Sequence, residues 1–209
     1  MLNILIHGLG QNAQSWDSVC KHLQELNLNT ICPDLFSLIE NDTKDYTTLY
    51  QAFSSFCMKQ DEKVNLCGIS LGGVLSLDFV KEHPEKVNAI ILIGTPYKIP
   101  KTLFKLQGLL FHIMPKSAFT KMGCEKKEFI TLVNSMNNLK IHDRLDQIAC
   151  EALILCGAKD KANKKGAALL NKHIKNSEFI IINNARHQVN TDNPEKLSKL
   201  VYDFLKDKQ

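Results

Sequence analysis

The sequence predicts an α/β fold: one parallel sheet of about six strands with helices on both faces. Three observations lead there. Short β-rich apolar runs alternate with longer amphipathic stretches. Several of those runs stop at Gly, Pro or Asn, residues that punctuate strands. The chain has 209 residues, enough to bury about 70% of its unfolded surface around one core without disulfides or metal.

The first strand is expected near Asn3–Ile6, followed by the turn His7-Gly8-Leu9-Gly10. A helix near Trp16–Leu26 carries Val19, Leu23 and Leu26 at helical spacing. A second strand near Thr30–Cys32 ends at Pro33, which has no N–H for a ladder. A helix near Tyr46–Lys59 precedes the third strand, Lys63–Cys67, which runs into Gly68-Ile69-Ser70-Leu71-Gly72-Gly73 and another helix. The fourth strand, Asn88–Ile93, is apolar on both sides, as a strand covered on both faces should be. The fifth, Ala152–Cys156, ends at Gly157; a helix near Lys164–His173 follows. The sixth, Glu178–Ile182, ends at Asn183-Asn184, and a last helix near Pro194–Leu205 has Asp192 as its expected N-cap. Between about 97 and 145 the alternation breaks: Leu103, Leu106, Leu109, Leu110, Phe111, Ile113 and Met114 are interleaved with Lys. So long an insertion in one compact domain is usually functional, and a helical lid is expected there.

Composition narrows the function. The net charge is +4, with Arg144 and Arg186 the only arginines, and the Lys excess is scattered. Nucleic-acid binding calls for a concentrated basic face, so no such partner is expected. The seven cysteines (Cys20, Cys32, Cys57, Cys67, Cys124, Cys150 and Cys156) form no C-x-x-C pair, and several sit in apolar runs. That pattern fits free, mostly buried thiols in a reducing compartment and no metal. With no signal-like leader and no apolar run near the roughly 18 residues a bilayer requires, a cytoplasmic protein without a membrane span is expected.

The chemistry centres on Gly68–Gly72, a G-x-S-x-G run. Alone it is weak, since chance would give one in roughly one in fifteen chains of this size. Its setting between an apolar strand and a helix is what a nucleophile elbow needs. A serine also needs a base, and the base an orienting acid. Asp160 follows the fifth strand and His187 the sixth, so with Ser70 all three candidates lie beyond the carboxyl ends of strands, where parallel sheets bind ligands. Asp192 follows His187 too closely, and Asp34 comes too early, to serve as the acid. His7 is expected to brace its turn. The backbone N–H groups of Leu71 and Leu9 are the expected oxyanion donors. Trp16, Leu110 and Met114 are the expected substrate contacts. Arg186 either meets an acidic substrate group or faces solvent, the second being favoured.

On these residues the chain resembles small bacterial α/β-hydrolases from end to end. His7-Gly8-Leu9-Gly10 with Trp16 is similar to that family's HG-x-G…W region; GISLGG resembles its elbow, and CGAKD and NARH its acid and histidine loops. HGLGQNAQSW is similar to the pimeloyl-carrier-protein methyl ester esterases and LCGISLGG to the enol-lactonases. The resemblance implies an α/β-hydrolase fold lacking the family's first two strands, with Thr30–Cys32 as an edge. It also implies a covalent acyl-enzyme, no cofactor, and a cap between the fourth and fifth strands. The expectation is a serine esterase that takes a small-molecule ester with a hydrophobic acyl group, as a monomer or weak homodimer. A thioesterase or carbon–carbon hydrolase would use the same triad. A non-catalytic binder on this fold would have no need of one. A flavodoxin-like nucleotide binder is disfavoured, because HGLGQN lacks the later glycine of a dinucleotide fingerprint.

Overall fold

The computed structural model describes residues 1–39, 43–99, 115, 119 and 124–208. Among them, β1 (Leu2–Ile6), β2 (Thr30–Ile31), β3 (Val64–Ile69), β4 (Val87–Ile93), β5 (Glu151–Gly157) and β6 (Ser177–Ile182) form one six-stranded sheet. The order is β2-β1-β3-β4-β5-β6, and every pair is parallel. β2 is an edge strand, held to β1 by only two register pairs, Asn3↔Thr30 and Ile4↔Ile31. The helices are α1 (Asp17–Glu25), α2 (Tyr46–Met58), α3 (Leu71–Glu82), α4 (Lys126–Ser135), α5 (Lys164–His173), the single turn α6 (Val189–Asp192) and α7 (Pro194–Leu205).

Side chains alternate across a strand, so each central strand feeds two cores. Ile4, Ile6, Leu66, Ile90, Leu92 and Ile154 face one way, into a cluster with α2, α3, α4 and α5. Leu5, Cys67, Ile69, Ile91, Ile93 and Leu155 face the other, against α1 and α7. Every residue of β3 is buried, whereas β6, at the far edge, is buried only at Ile182. This gradient follows from position: a central parallel strand is covered on both faces and both sides, an edge strand is not.

The amino-terminal end of the sheet carries a polar row. Asn65 Nδ2 donates to Asn3 Oδ1 at 2.8 Å, and Asn88 Nδ2 donates to Asn65 Oδ1 at 2.8 Å. The row closes on main chain at both ends, through Asn3 Nδ2 to the Asn29 carbonyl and Asn88 Nδ2 to the Lys208 carbonyl. Three amides thus span β1, β3 and β4, and a register shift at Val64/Asn65 brings the third into line.

One cap differs from expectation. Asn193, not Asp192, caps α7, its side chain accepting from the Lys196 N–H. Asp192 is taken by Arg186, whose backbone N–H and guanidinium both bond the carboxylate. In the insertion, α4 and the residues after it add Phe129, Leu132, Val133, Met136, Ile141 and Leu145 to the first core. Leu110 and Met114 lie outside the described residues, with the rest of 100–114, 116–118 and 120–123 of the expected lid.

Candidate active site

At β1 the sheet order reverses: the chain leaves β1 towards β2 on one side and resumes at β3 on the other. Ligands of open α/β sheets bind at the carboxyl end of such a switch point. The His7–Gly10 turn and Ser70 flank it. Ser70 joins β3 to α3 with φ 54° and ψ −110°, a region that costs a non-glycine residue about 1–3 kcal/mol. The crowding around it explains why the strain persists. A Cβ on Gly72 would collide with the Ile6 carbonyl, so α3 can pass this close to β1 only with glycine there. The Ser70 N–H donates to the Ile93 carbonyl at 2.9 Å, and its carbonyl accepts from the Val74 N–H in the first turn of α3. Ser70 is thereby clamped between β4 and a helix N-terminus whose first N–H groups have no helical partner.

Gly94 continues from Ile93 and connects the serine to the other two candidates. Its φ is +53°, and a Cβ there would lie 3.0 Å from His187 Nδ1 and 3.4 Å from Asp160 Oδ2. The imidazole and the carboxylate therefore rest on a bare Cα beside the elbow. His187 Nδ1 and Asp160 Oδ2 are 2.7 Å apart, the His187 side chain being 41% exposed and that of Asp160 4%. With Nδ1–H donating to a carboxylate, Nε2 is the nitrogen left for a substrate or nucleophile. Burial pushes the Asp160 pKa up, but hydrogen bonds from His187 and Asn163, with the nearby His187 charge, outweigh it. The carboxyl is held below its ordinary 3.8 and stays ionised at neutral pH.

Sequence reasoning missed three residues. Asn163 Nδ2 donates to both Asp160 oxygens, at 3.1 and 2.9 Å, and its N–H donates to Oδ1 at 3.2 Å. It lies 3.2 Å from His187 Nδ1, so the carboxylate is a shared acceptor for both side chains. Gln11 and Asn190 form a buried chain: the Gly8 N–H donates to Gln11 Oε1, Gln11 Nε2 to Asn190 Oδ1, and Asn190 Nδ2 to the Ser15 carbonyl. This chain ties the turn after β1 to the loop that carries His187. The spacing of Asn163 from Asp160 (i, i+3) was available as a signal; Gln11 and Asn190, 179 positions apart, offered none.

His7 sits inside the turn. Its Nδ1–H donates to the Gly8 carbonyl at 3.0 Å and its Nε2 accepts from the Leu35 N–H at 3.1 Å. That pairing requires a neutral ring, and burial accordingly lowers its pKa from 6.5. Trp16 departs from its expected place in the substrate pocket. It has no exposed surface and packs in the second core near Leu5, Val19 and Leu23. Arg186 faces solvent, its side chain 77% exposed and bridged to Asp192 at 2.8 Å. Among the described residues, no helix is long and apolar enough to cross a membrane. No cluster of three or more His, Cys, Asp or Glu side chains suited to a metal occurs there either.

A nucleophile-elbow geometry on an all-parallel sheet, with an acid–imidazole pair at the same edge, is a family signature, and comparison with known proteins agrees. The α/β-hydrolase fold profile matches residues 4–117. The chain belongs to the α/β-hydrolase fold family. A monoacylglycerol lipase of Mus musculus is 24% identical over 97% of this chain and 74% of its own. A putative 2-succinyl-6-hydroxy-2,4-cyclohexadiene-1-carboxylate synthase of Bacillus subtilis is 23% identical over 97% of this chain and 89% of its own. In fold, the chain superposes on a thermophilic esterase from Thermogutta terrifontis with a TM-score of 0.82 and 17% identity, covering 99% of this chain and 90% of the other. It superposes on the enol-lactonase of Burkholderia xenovorans with a TM-score of 0.85 and 15% identity, covering 98% and 91%.

Proposed function

We propose that the protein is a serine hydrolase that cleaves carboxylic esters through an acyl-enzyme on Ser70. The observation that carries this is the clamped, positive-φ Ser70 beside the 2.7 Å Asp160–His187 pair. A serine with no chemical task has no reason to occupy a strained backbone position at this edge.

Ser70 Oγ attacks the acyl carbonyl while His187 Nε2 takes its proton. The imidazolium so formed is stabilised by Asp160, which Asn163 holds ionised and in place. The oxyanion is met by the N–H of Leu71, at the start of α3, and that of Leu9. The Gly8 N–H is already committed to Gln11 and is not the donor of the turn. The tetrahedral intermediate collapses, expelling the alcohol with the proton from His187. Water, deprotonated by the same ring, then hydrolyses the acyl-serine and regenerates Ser70. Within the insertion at 97–145, whose later part packs in the first core, the apolar run at 103–114 is the part assigned to a lid and to the acyl chain. The lipase and esterase names among the similar proteins support an ester substrate of that kind. The reaction needs no cofactor, and the reading is of a cytoplasmic enzyme.

The test is Ser70→Ala, assayed on p-nitrophenyl esters of graded chain length and with a fluorophosphonate probe. Turnover should fall by at least about 10³-fold, and labelling should vanish. Undiminished turnover would sink the proposal; wild-type protein that folds but never labels would point to a binding protein instead.

A further inference from the structure

Seven cysteines are free, and two of them face each other. Cys20 in α1 and Cys32, just past the edge strand β2, have their Sγ atoms 3.4 Å apart, and both are partly exposed. Cys67 on β3 is fully buried nearby, while Cys57, Cys124 and Cys156 are buried elsewhere in the other core. A disulfide needs an S–S separation of about 2.05 Å and cysteines already close in the fold. Cys20 and Cys32 already touch, so modest side-chain rotation would bring them into bonding range.

We propose that Cys20 and Cys32 are a redox-active dithiol, which a hydroperoxide converts to an intramolecular disulfide. The two thiols differ in the way this chemistry requires. Either sulfur can donate across the 3.4 Å contact; Cys20 also has Thr30 as a hydrogen-bond partner, and these bonds outweigh burial and lower the Cys20 thiol below its ordinary range. Cys32, the more buried of the two, is pushed above the ordinary thiol range by its contact with Cys20 and by burial. Thiolate is the reactive form, so Cys20 attacks and Cys32 resolves. The Cys20 thiolate displaces alkoxide (or hydroxide) from the peroxide O–O bond, becoming a sulfenic acid. The departing oxygen takes up a proton. The Cys32 sulfur then attacks the sulfenic sulfur, the S–S bond forms, and water leaves with the Cys32 proton. The thiols lose two electrons in total, and the peroxide gains them.

The bond would close a short loop through α1 and β2, fastening the edge strand that otherwise has two register pairs. Constraining a loop of this size in the unfolded chain should raise Tm by roughly 6–12 °C for a domain of this length.

The experiment uses the whole protein, reduced, exposed to hydrogen peroxide, quenched with N-ethylmaleimide and mapped without reductant. The expected product has lost two hydrogens, carries two fewer maleimides, and yields one peptide pair linked through Cys20 and Cys32; a thiol reductant reverses it and lowers Tm to its starting value. In Cys32→Ser, Cys20 should instead be trapped by dimedone as a sulfenic acid, and in Cys20→Ser, Cys32 should remain a thiol. Three results would overturn the proposal: both residues still alkylated after peroxide, a disulfide joining other cysteines, or loss of the Cys32 thiol unchanged in Cys20→Ser. Activity is no part of the readout, so failure here is distinct from failure of the hydrolase assignment.

Discussion

The two ends of this sheet solve opposite problems with similar material. At the amino end, Asn3, Asn65 and Asn88 satisfy one another across three strands and hand their remaining donors to main-chain carbonyls. At the carboxyl end, Ser70 is strained, the His187 ring is partly exposed, and N–H groups at the start of α3 are left without helical partners. The comparison teaches where a fold can hold reactivity. Polar groups that are fully paired specify register and do nothing else. Polar groups that the scaffold holds but does not satisfy remain available to a substrate, and the paired end supplies the rigidity that keeps them so.

The sharpest way to break this contrast is to change one end and read both. Asp160→Asn keeps the shape but replaces an acceptor-only carboxylate, so the imidazole can adopt the wrong tautomer. The expected loss in kcat is on the order of 10³–10⁴-fold, with Tm nearly unchanged, measured on the p-nitrophenyl esters used to test Ser70→Ala. A Tm collapse with kcat preserved would reverse the assignment of the two ends. The complementary change is Asn65→Ala. It strips the Asn3 Oδ1 of its donor and Asn88 of one of its two acceptors. Denaturant unfolding should show a loss of about 2–3 kcal/mol, while kcat per folded molecule holds.

The smallest effect concerns His7, which lies at the carboxyl end yet is fully paired, like the asparagines. Its pKa is lowered in the fold by burial. The unfolded chain therefore binds a proton near pH 6.5 that the folded protein refuses. Stability from this source is complete above that pH, declines as pH falls through it, and levels off below the folded pKa. His7→Gln should give a shallower fall in Tm between pH 7 and about pH 5 than wild type; parallel Tm–pH curves would remove His7 as the cause.

The sequence shows the carboxyl end far better than the amino end, for a physical reason. Ser70, Asp160 and His187 each follow an apolar run that stops at a punctuating residue, so strand ends placed them at one edge before any contact was known. The asparagine row is invisible to that reasoning. Asn3, Asn65 and Asn88 look like isolated polar residues at strand starts, and only the sheet order and the shift at Val64/Asn65 align them. Gln11 and Asn190 were hidden likewise, because their partners are set by tertiary structure. Trp16 misled because a motif locates a residue in sequence without saying which way it points; here it points into the second core. The cap of α7 slipped by one because Arg186 competes for Asp192.

The burial gradient from β3 to β6 has a consequence for how this molecule ages in heat. Ser70 is anchored to the fully buried central strand, whereas His187 hangs from a rim strand, where local opening costs less. The site is therefore divided between a part that melts last and a part that frays first. Warming should silence the protein reversibly before it denatures, with amides of β6 and the His187 loop exchanging hydrogen well ahead of those in β3. Equal exchange rates in the two strands would show instead that the site opens as one unit.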